Sequence, residues 1–135
     1  MKKQVEDWIL LADKDLHTAE IIMANDEYSL TNIVAFHCQQ AIEKYLKAFL
    51  IENDISLIKI HDLIKLNGMV NEIKHLGIDE KKLIVLNEVY TDSRYPGDLG
   101  LMPDGTPTNE QAKEFIGYVK EIKTIINNEL ASRAG

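Results

Sequence analysis

The chain has 135 residues, of which 45% are hydrophobic, which is typical of a folded domain and too apolar for a disordered chain. Its formal net charge of −7 repels phosphate backbones, so non-specific nucleic-acid binding is not expected. The single cysteine, Cys38, excludes an intramolecular disulfide and a cysteine metal cage, and no apolar run approaches the roughly 20 residues that span a bilayer. We expect one domain over residues 1–135, in a reducing, cytoplasmic location and without membrane contact.

The first two predicted elements are long helices. Apolar residues recur at helical spacing from about Lys3 to Asn25 and from about Leu30 to Asn53, with the turn-forming stretch NDEYS between them. The second helix is the more apolar, so we expect it to be central. The residues predicted to face inward are Val5, Trp8, Ile9, Ala12, Leu16, Ala19 and Met23 in the first helix and Val34, Cys38, Ala41, Ile42, Tyr45, Ala48 and Phe49 in the second.

Two shorter helices are predicted after the connector NDISLIKIHD. Asp62 is placed to cap the third helix, because its carboxylate can accept from the free amides of the first turn. Gly77 ends that helix, and Asp79 is placed to cap the fourth. The predicted inward-facing residues are Leu63, Leu66, Val70 and Ile73 in the third helix and Leu83, Leu86, Val89 and Tyr90 in the fourth.

The segment SRYPGDLGLMPDGTP, residues 93–107, is predicted to be irregular because it contains all three prolines. Thr108 and Gln111 then form a capping-box pattern that opens a last helix. No segment alternates in the manner of a strand, so the predicted fold class is all-α, an antiparallel (up-and-down) bundle of four to five helices. The predicted core stripe of the last helix is Ala112, Phe115, Ile116, Val119, Ile122 and Ile126.

Four polar residues stand in one line within FHCQQAIEKYLKAFL. They are His37, Gln40, Lys44 and Lys47, which together span about 80° of the helix surface. Lysines attract phosphate as point charges, and the amide and imidazole can bond to base or ribose edges, so the line is a candidate ligand site. Two other interpretations stay open. The line is a solvated face in which Glu43 and Lys47 form an ordinary ion pair, or it packs on a second subunit.

Four residues outside this line carry further candidate chemistry. Arg94 suits phosphate or carboxylate recognition and Tyr95 can stack on a base. Alternatively, Arg94 ties its loop to an acidic residue such as Glu43, and Tyr95 is a hydrophobic plug. His61 and Asp62 are a candidate acid–base pair, or else Asp62 only caps a helix and His61 is exposed at its start.

The four histidines lie on different segments and lack the spacing of metal ligands, so we predict neither a metal site nor a cofactor. No residue stands out as a nucleophile with its base and oxyanion donors, and we predict no catalytic residue.

The segments ADKDLHTAEIIM, CQQAIEKYLKAFL, HDLIKL and VYTDSRYPG, in this order and spacing, closely resemble the HEPN domain family over about Asp7 to Asn128. The resemblance implies an all-helical bundle that commonly forms dimers. It also implies nucleotide binding, which has been proposed for the family, and many members are encoded with, or fused to, minimal nucleotidyltransferase domains.

Another large branch of the family is ribonucleolytic and carries an arginine followed four to six residues later by a histidine. Behind Arg94 that window holds Asp98, Leu99 and Gly100, and Arg133 has no histidine behind it. The resemblance therefore points to the nucleotide-associated branch, not to the cleaving one.

We expect a non-catalytic HEPN-type protein that binds a nucleotide or related phosphate ligand, or that docks onto a nucleotidyltransferase. The first alternative is a homodimeric assembly module without a ligand, and a less favoured one is a ribonuclease toxin that uses unusual residues. The expected ligand-binding residues are His37, Gln40, Lys44, Lys47, Arg94 and Tyr95, with Glu43, His61 and Asp62 as a second tier.

Overall fold

The computed structural model describes residues 2–25, 30–56, 59–94 and 107–134, and within these the side chains of 89–94 and 133–134 are not described. These residues form five α-helices and no strand. The helices are α1 (Lys3–Asn25), α2 (Thr31–Glu52), α3 (Leu63–Ile73), α4 (Glu80–Arg94) and α5 (Asn109–Ala134). The predicted all-α bundle is therefore confirmed, with the upper of the two predicted helix numbers.

The α3 and α4 helices begin where local capping chemistry predicts. The Asp62 carboxylate accepts from the amide of Ile64 at 2.8 Å, which satisfies a first-turn donor of α3. Asp79 accepts from the amide of Lys81 at 3.0 Å in the same way at the start of α4. The α3 helix ends at Ile73 and not at the predicted Gly77. Gly77 lies between the two helices with a positive φ of 78°, a conformation that a residue without a Cβ adopts at little cost.

The start of α5 confirms the predicted capping box. The Thr108 hydroxyl accepts from the amide of Gln111 at 3.1 Å, and the Gln111 side chain accepts from the Thr108 amide at 2.9 Å. Just before this cap, the Pro107 carbonyl accepts a 2.6 Å hydrogen bond from the hydroxyl of Thr31. This bond joins the start of α5 to the start of α2.

The α2 helix lies at the centre of the bundle, where it packs against each of the other four helices. All seven residues predicted to face inward from α2 are fully buried. The residues of the predicted core stripe of α5 are buried too, with at most 8% of their surface exposed. In α1 the prediction is less complete, because Trp8, Ile9 and Met23 are only half-buried at the edge of the core. The predicted inward positions of Val89 and Tyr90 in α4 lie outside the described side chains. Because α2 is covered on most sides, its buried polar residues need hydrogen-bond partners within the protein.

None of the helices in the described part of the chain is long and apolar enough to cross a membrane.

Candidate functional site

An aspartate of α1 joins two members of the polar line on α2. Oδ1 of Asp15 lies 2.9 Å from Nδ1 of His37, and Lys44 donates to the other carboxylate oxygen. The three side chains retain 13%, 24% and 21% of their exposure respectively. This part of the line is therefore a half-buried, charge-paired seam between α1 and α2, not a fully solvated face.

Gln40 completes the half-exposed part of the line. Its amide nitrogen donates to the side-chain oxygen of Gln39 at 2.8 Å, and the residue lies on α2 between His37 and Lys44. We call His37, Gln40 and Lys44 the α2 ridge. These three residues are brought together as the spacing predicted.

Lys47 does not belong to the ridge, because it is buried. Its Nζ lies 3.1 Å from Oε2 of Glu43, with side-chain exposures of 4% and 5%, and 5.7 Å from the ring centroid of Trp8. The predicted ion pair with Glu43 thus exists, but it is buried, whereas the sequence-based alternative placed it on a solvated face. In this conformation the Lys47 ammonium is withdrawn from solvent.

The described parts of the connector between α2 and α3, residues 53–56 and 59–62, make hydrogen bonds to α2. The amide of Ile55 donates to the carbonyl of Leu50 at 3.0 Å, and Gln39 donates to the carbonyl of His61 at 3.0 Å. Residues near both ends of the connector thus bond to α2, and His61 lies against Glu43.

Glu43 is the hub of a second polar cluster. Besides Lys47, its carboxylate lies 3.2 and 3.3 Å from Nδ1 of His61 and 3.5 Å from the amide nitrogen of Gln39. The His61 side chain is itself 73% exposed. A buried carboxylate is thus connected to solvent through one imidazole ring.

Asp62 is a capping residue and not the acid–base partner of His61. Its carboxylate is occupied by the first-turn amides of α3 and by Nδ2 of Asn87, which donates at 3.0 Å. Partial burial works to raise the pKa of Asp62, but the hydrogen bonds from Asn87 and the α3 amides outweigh it and lower that pKa. The carboxylate that contacts His61 is Glu43, 18 residues away in sequence.

Asp13, which also lies on α1, contacts residues of both α2 and α5. It accepts from the hydroxyl of Tyr45 and lies 3.2 Å from Nζ of Lys123 on α5. Burial and, next, the hydrogen bond to Asp13 raise the pKa of Tyr45 above its ordinary range. Among the described residues Asp13 thus joins α1, α2 and α5, while Asp15 joins α1 and α2, so the two carboxylates have separate partners there.

The arginine-bearing loop is only partly described. Arg94 is the last residue of α4, so the helix runs two residues into the segment predicted to be irregular. The side chain of Arg94 and all of Tyr95 lie outside the described residues, as does the rest of the loop to residue 106. Their predicted contributions to a ligand site stay predictions.

The described part of the chain has no metal cluster at the ridge, and a cleft that it does contain lies away from the ridge. No group of three or more histidine, cysteine, aspartate or glutamate side chains there can hold a metal ion. A cleft of ≈ 420 Å³ lies where α1 begins and α2 ends, but none of the ridge residues lines it. Its walls are formed by Lys2, Gln4, Trp8, Ile51, Asp54, Ile55 and Ser56.

Comparisons with known proteins agree with the helical architecture. A model of the HEPN domain matches residues 5–129. The crystal structure of TT1696 from Thermus thermophilus is similar with a TM-score of 0.75 at 20% sequence identity, over 94% of this chain and 98% of that one. The crystal structure of ST0689, an archaeal HEPN homologue, is similar with a TM-score of 0.68 at 26% identity, over 96% and 98%. No curated protein matches this chain.

Proposed function

The chain belongs to the HEPN domain family, and from this premise we propose that it is a non-catalytic module that binds a nucleotide or a related phosphate ligand on the α2 ridge. In this role it would act as the accessory partner of a minimal nucleotidyltransferase. The observation that supports the proposal most is the half-exposed alignment of an imidazole, an amide and an ammonium group at one seam.

The ridge residues keep hydrogen-bonding capacity for a ligand. An ammonium group has three N–H donors, and among the described residues Lys44 uses only one of them, on Asp15. The side-chain oxygen of Gln40 and Nε2 of His37 have no hydrogen-bond partner in the described part of the chain. Lys44 therefore supplies donors for phosphate oxygens, and the other two groups supply contacts for a base or ribose.

Asp15 occupies the ridge before a ligand arrives. Its carboxylate contacts both the Lys44 ammonium and the His37 ring. The same carboxylate opposes a phosphate group by its charge. Binding on the ridge is therefore a competition in which a phosphate with two negative charges draws Lys44 away from a single carboxylate.

Calorimetric titration of ATP, GTP and AMP into the protein tests the ligand claim. We expect Lys44→Ala to weaken binding by about tenfold, the loss of one hydrogen bond to a charged group. Lys113→Ala is the matched control, because it removes the same charge from an exposed position of α5. No heat with any nucleotide, or the same affinity in wild type and Lys44→Ala, would contradict the claim.

The partner claim is tested separately by the neighbouring gene. A small nucleotidyltransferase encoded beside this protein, and co-purifying with it, supports docking. A neighbouring nucleotidyltransferase that fails to associate with the purified protein contradicts it.

A homodimeric assembly module is the second candidate, and apolar side chains beside the ridge favour it. Ile33 and Phe36 are 39% and 38% exposed, and they precede His37 and Gln40 by helical spacing. Leu11, 45% exposed, stands one turn before Asp15 on α1. Apolar groups that flank a polar seam in this way are typical of a surface buried in a complex.

Light scattering tests this candidate. We expect a dimer that Phe36→Asp dissociates, whereas Val85→Asp, at a similarly exposed position of α4, leaves it intact. A wild-type protein that stays monomeric at the highest concentration at which it is soluble would rule out this candidate.

A further inference from the structure

The His61 ring stands in solvent while one of its nitrogens rests on a buried carboxylate. The side chains of His61 and Glu43 are 73% and 5% exposed, and Nδ1 lies 3.2 and 3.3 Å from the two Glu43 oxygens. An ionised carboxylate only accepts hydrogen bonds, so Nδ1 carries the proton and Nε2 of the neutral ring keeps its lone pair.

The carboxylate under the ring is held rigidly. Lys47 lies 3.1 Å from Oε2 and balances the charge of Glu43 inside the protein. Gln39 contacts the other oxygen and also donates to the His61 carbonyl at 3.0 Å, so one amide restrains both the carboxylate and the backbone that carries the ring. The lone pair of Nε2 therefore has a fixed direction.

We propose that His61 is a nucleophilic histidine that accepts a phosphoryl group at Nε2 from a small phosphoryl donor. Nε2 attacks phosphorus, the N–P bond forms with its lone pair, and the bond to the leaving group breaks with its electrons on that group. The ring becomes an imidazolium in this step, and the Glu43 carboxylate stabilises the new charge through the Nδ1 hydrogen bond. The proton on Nδ1 is released to water afterwards.

The proposed site needs a histidine with both an orienting carboxylate and an exposed ring. Within the described structure each of the other three histidines lacks one of these two features. His37 has a carboxylate on Nδ1, but its side chain is only 24% exposed and it shares Asp15 with Lys44. His17 and His75 are exposed, and neither has a carboxylate partner among the described residues. Among the four, only His61 combines both requirements within the described structure.

The test is the reaction of the folded wild-type protein with potassium phosphoramidate at neutral pH. In this reaction ammonia leaves with the bonding electrons, and peptide mass spectrometry and ³¹P NMR locate the phosphoryl group. We expect His61 to be modified at Nε2 at least about tenfold faster than His17, His75 and His37, the size of effect expected from one hydrogen bond to a charged group. Equal rates at the four histidines, or modification of His61 at Nδ1, would overturn the proposal.

Glu43→Gln distinguishes charge stabilisation from mere tethering. Its side-chain oxygen can still accept from Nδ1, but the negative charge is gone, so we expect the preference for His61 to fall about tenfold. An unchanged preference in a folded variant overturns the role of the carboxylate. If circular dichroism shows that the variant does not fold, the comparison of the four histidines in wild type decides alone. The outcome is independent of the nucleotide titrations, because neither Lys44 nor Asp15 takes part.

Discussion

The carboxylate of Asp15 on α1 lies 2.9 Å from Nδ1 of His37 on α2. Its second oxygen accepts from Lys44, two turns further along α2. Asp15 therefore does two things at once: it closes the α1–α2 seam and cancels the positive charge of the ridge. The closing of the seam is measured by the free energy of unfolding, and the cancellation of charge is measured by the ligand affinity.

Asp15→Asn is expected to lower the free energy of unfolding by about 1–3 kcal/mol, because it leaves a half-buried ammonium without its counter-charge. Urea denaturation followed by circular dichroism measures the change. Asp7→Asn is the control, since Asp7 is 53% exposed and pairs only with the exposed Lys3 among the described residues. It should change stability by less than about 0.5 kcal/mol. Equal stabilities of the two variants would show that the seam contact is not structural.

Lys47→Ala is expected to be more severe, with a loss of about 3–5 kcal/mol, because the Glu43 carboxylate is then left buried with no full counter-charge. Thermal and urea unfolding measure this loss. The double variant Glu43→Gln with Lys47→Met should recover part of it, since neither substituted residue is charged. A Lys47→Ala protein within about 1 kcal/mol of wild type would indicate that water reaches the pair.

Alkaline pH is expected to destabilise the protein through Tyr45. Burial and the contact with Asp13 raise the pKa of Tyr45, so the folded state holds the phenolic proton more tightly than the unfolded chain does. Its contribution is complete below the unfolded pKa of about 10 and is lost as pH rises above that value, at up to about 1.4 kcal/mol per pH unit. Tyr45→Phe should lack this loss. Parallel pH profiles of the two proteins from about pH 9 to about pH 11, on either side of that unfolded pKa, would refute the assignment.

The Cys38 thiol is expected to be inert in the folded protein. Burial, followed by the nearby Asp15 and Glu20 carboxylates, raises the pKa of Cys38 to about 12, so almost no thiolate exists near neutral pH. Labelling by a thiol reagent should therefore be slow in buffer and rapid in denaturant. Complete labelling of native protein within minutes would show that the side of α2 carrying Cys38 opens readily.

The helices and most of their starts could be predicted from the sequence because their causes are local, whereas the ends of α3 and α4 were predicted less well. The Asp62 cap and the Thr108–Gln111 box each join atoms two or three residues apart, and the end of α1 follows from an apolar stripe that stops at turn formers. The central position of α2 followed from its apolar content alone. Such features need no knowledge of which segments become neighbours.

The partners of the polar residues could not be predicted in this way. A helical wheel places Lys47 in line with Lys44, but Lys47 is buried with Glu43 beside Trp8, whereas Lys44 stays half-exposed. The contact between Lys44 and Asp15 spans 29 residues. The chain neighbour Asp62 was the obvious partner for His61, whereas the fold supplies Glu43.

The most direct measurement of the central claim is the nucleotide affinity of Asp15→Asn compared with that of Lys44→Ala, by calorimetry on protein verified as folded. If the ridge binds phosphate in competition with Asp15, the two substitutions act in opposite directions. Asp15→Asn should tighten binding, because it frees the Lys44 ammonium and the His37 ring, and Lys44→Ala should weaken it about tenfold. Affinities that move in the same direction, or a wild-type protein that binds no nucleotide, would contradict the account.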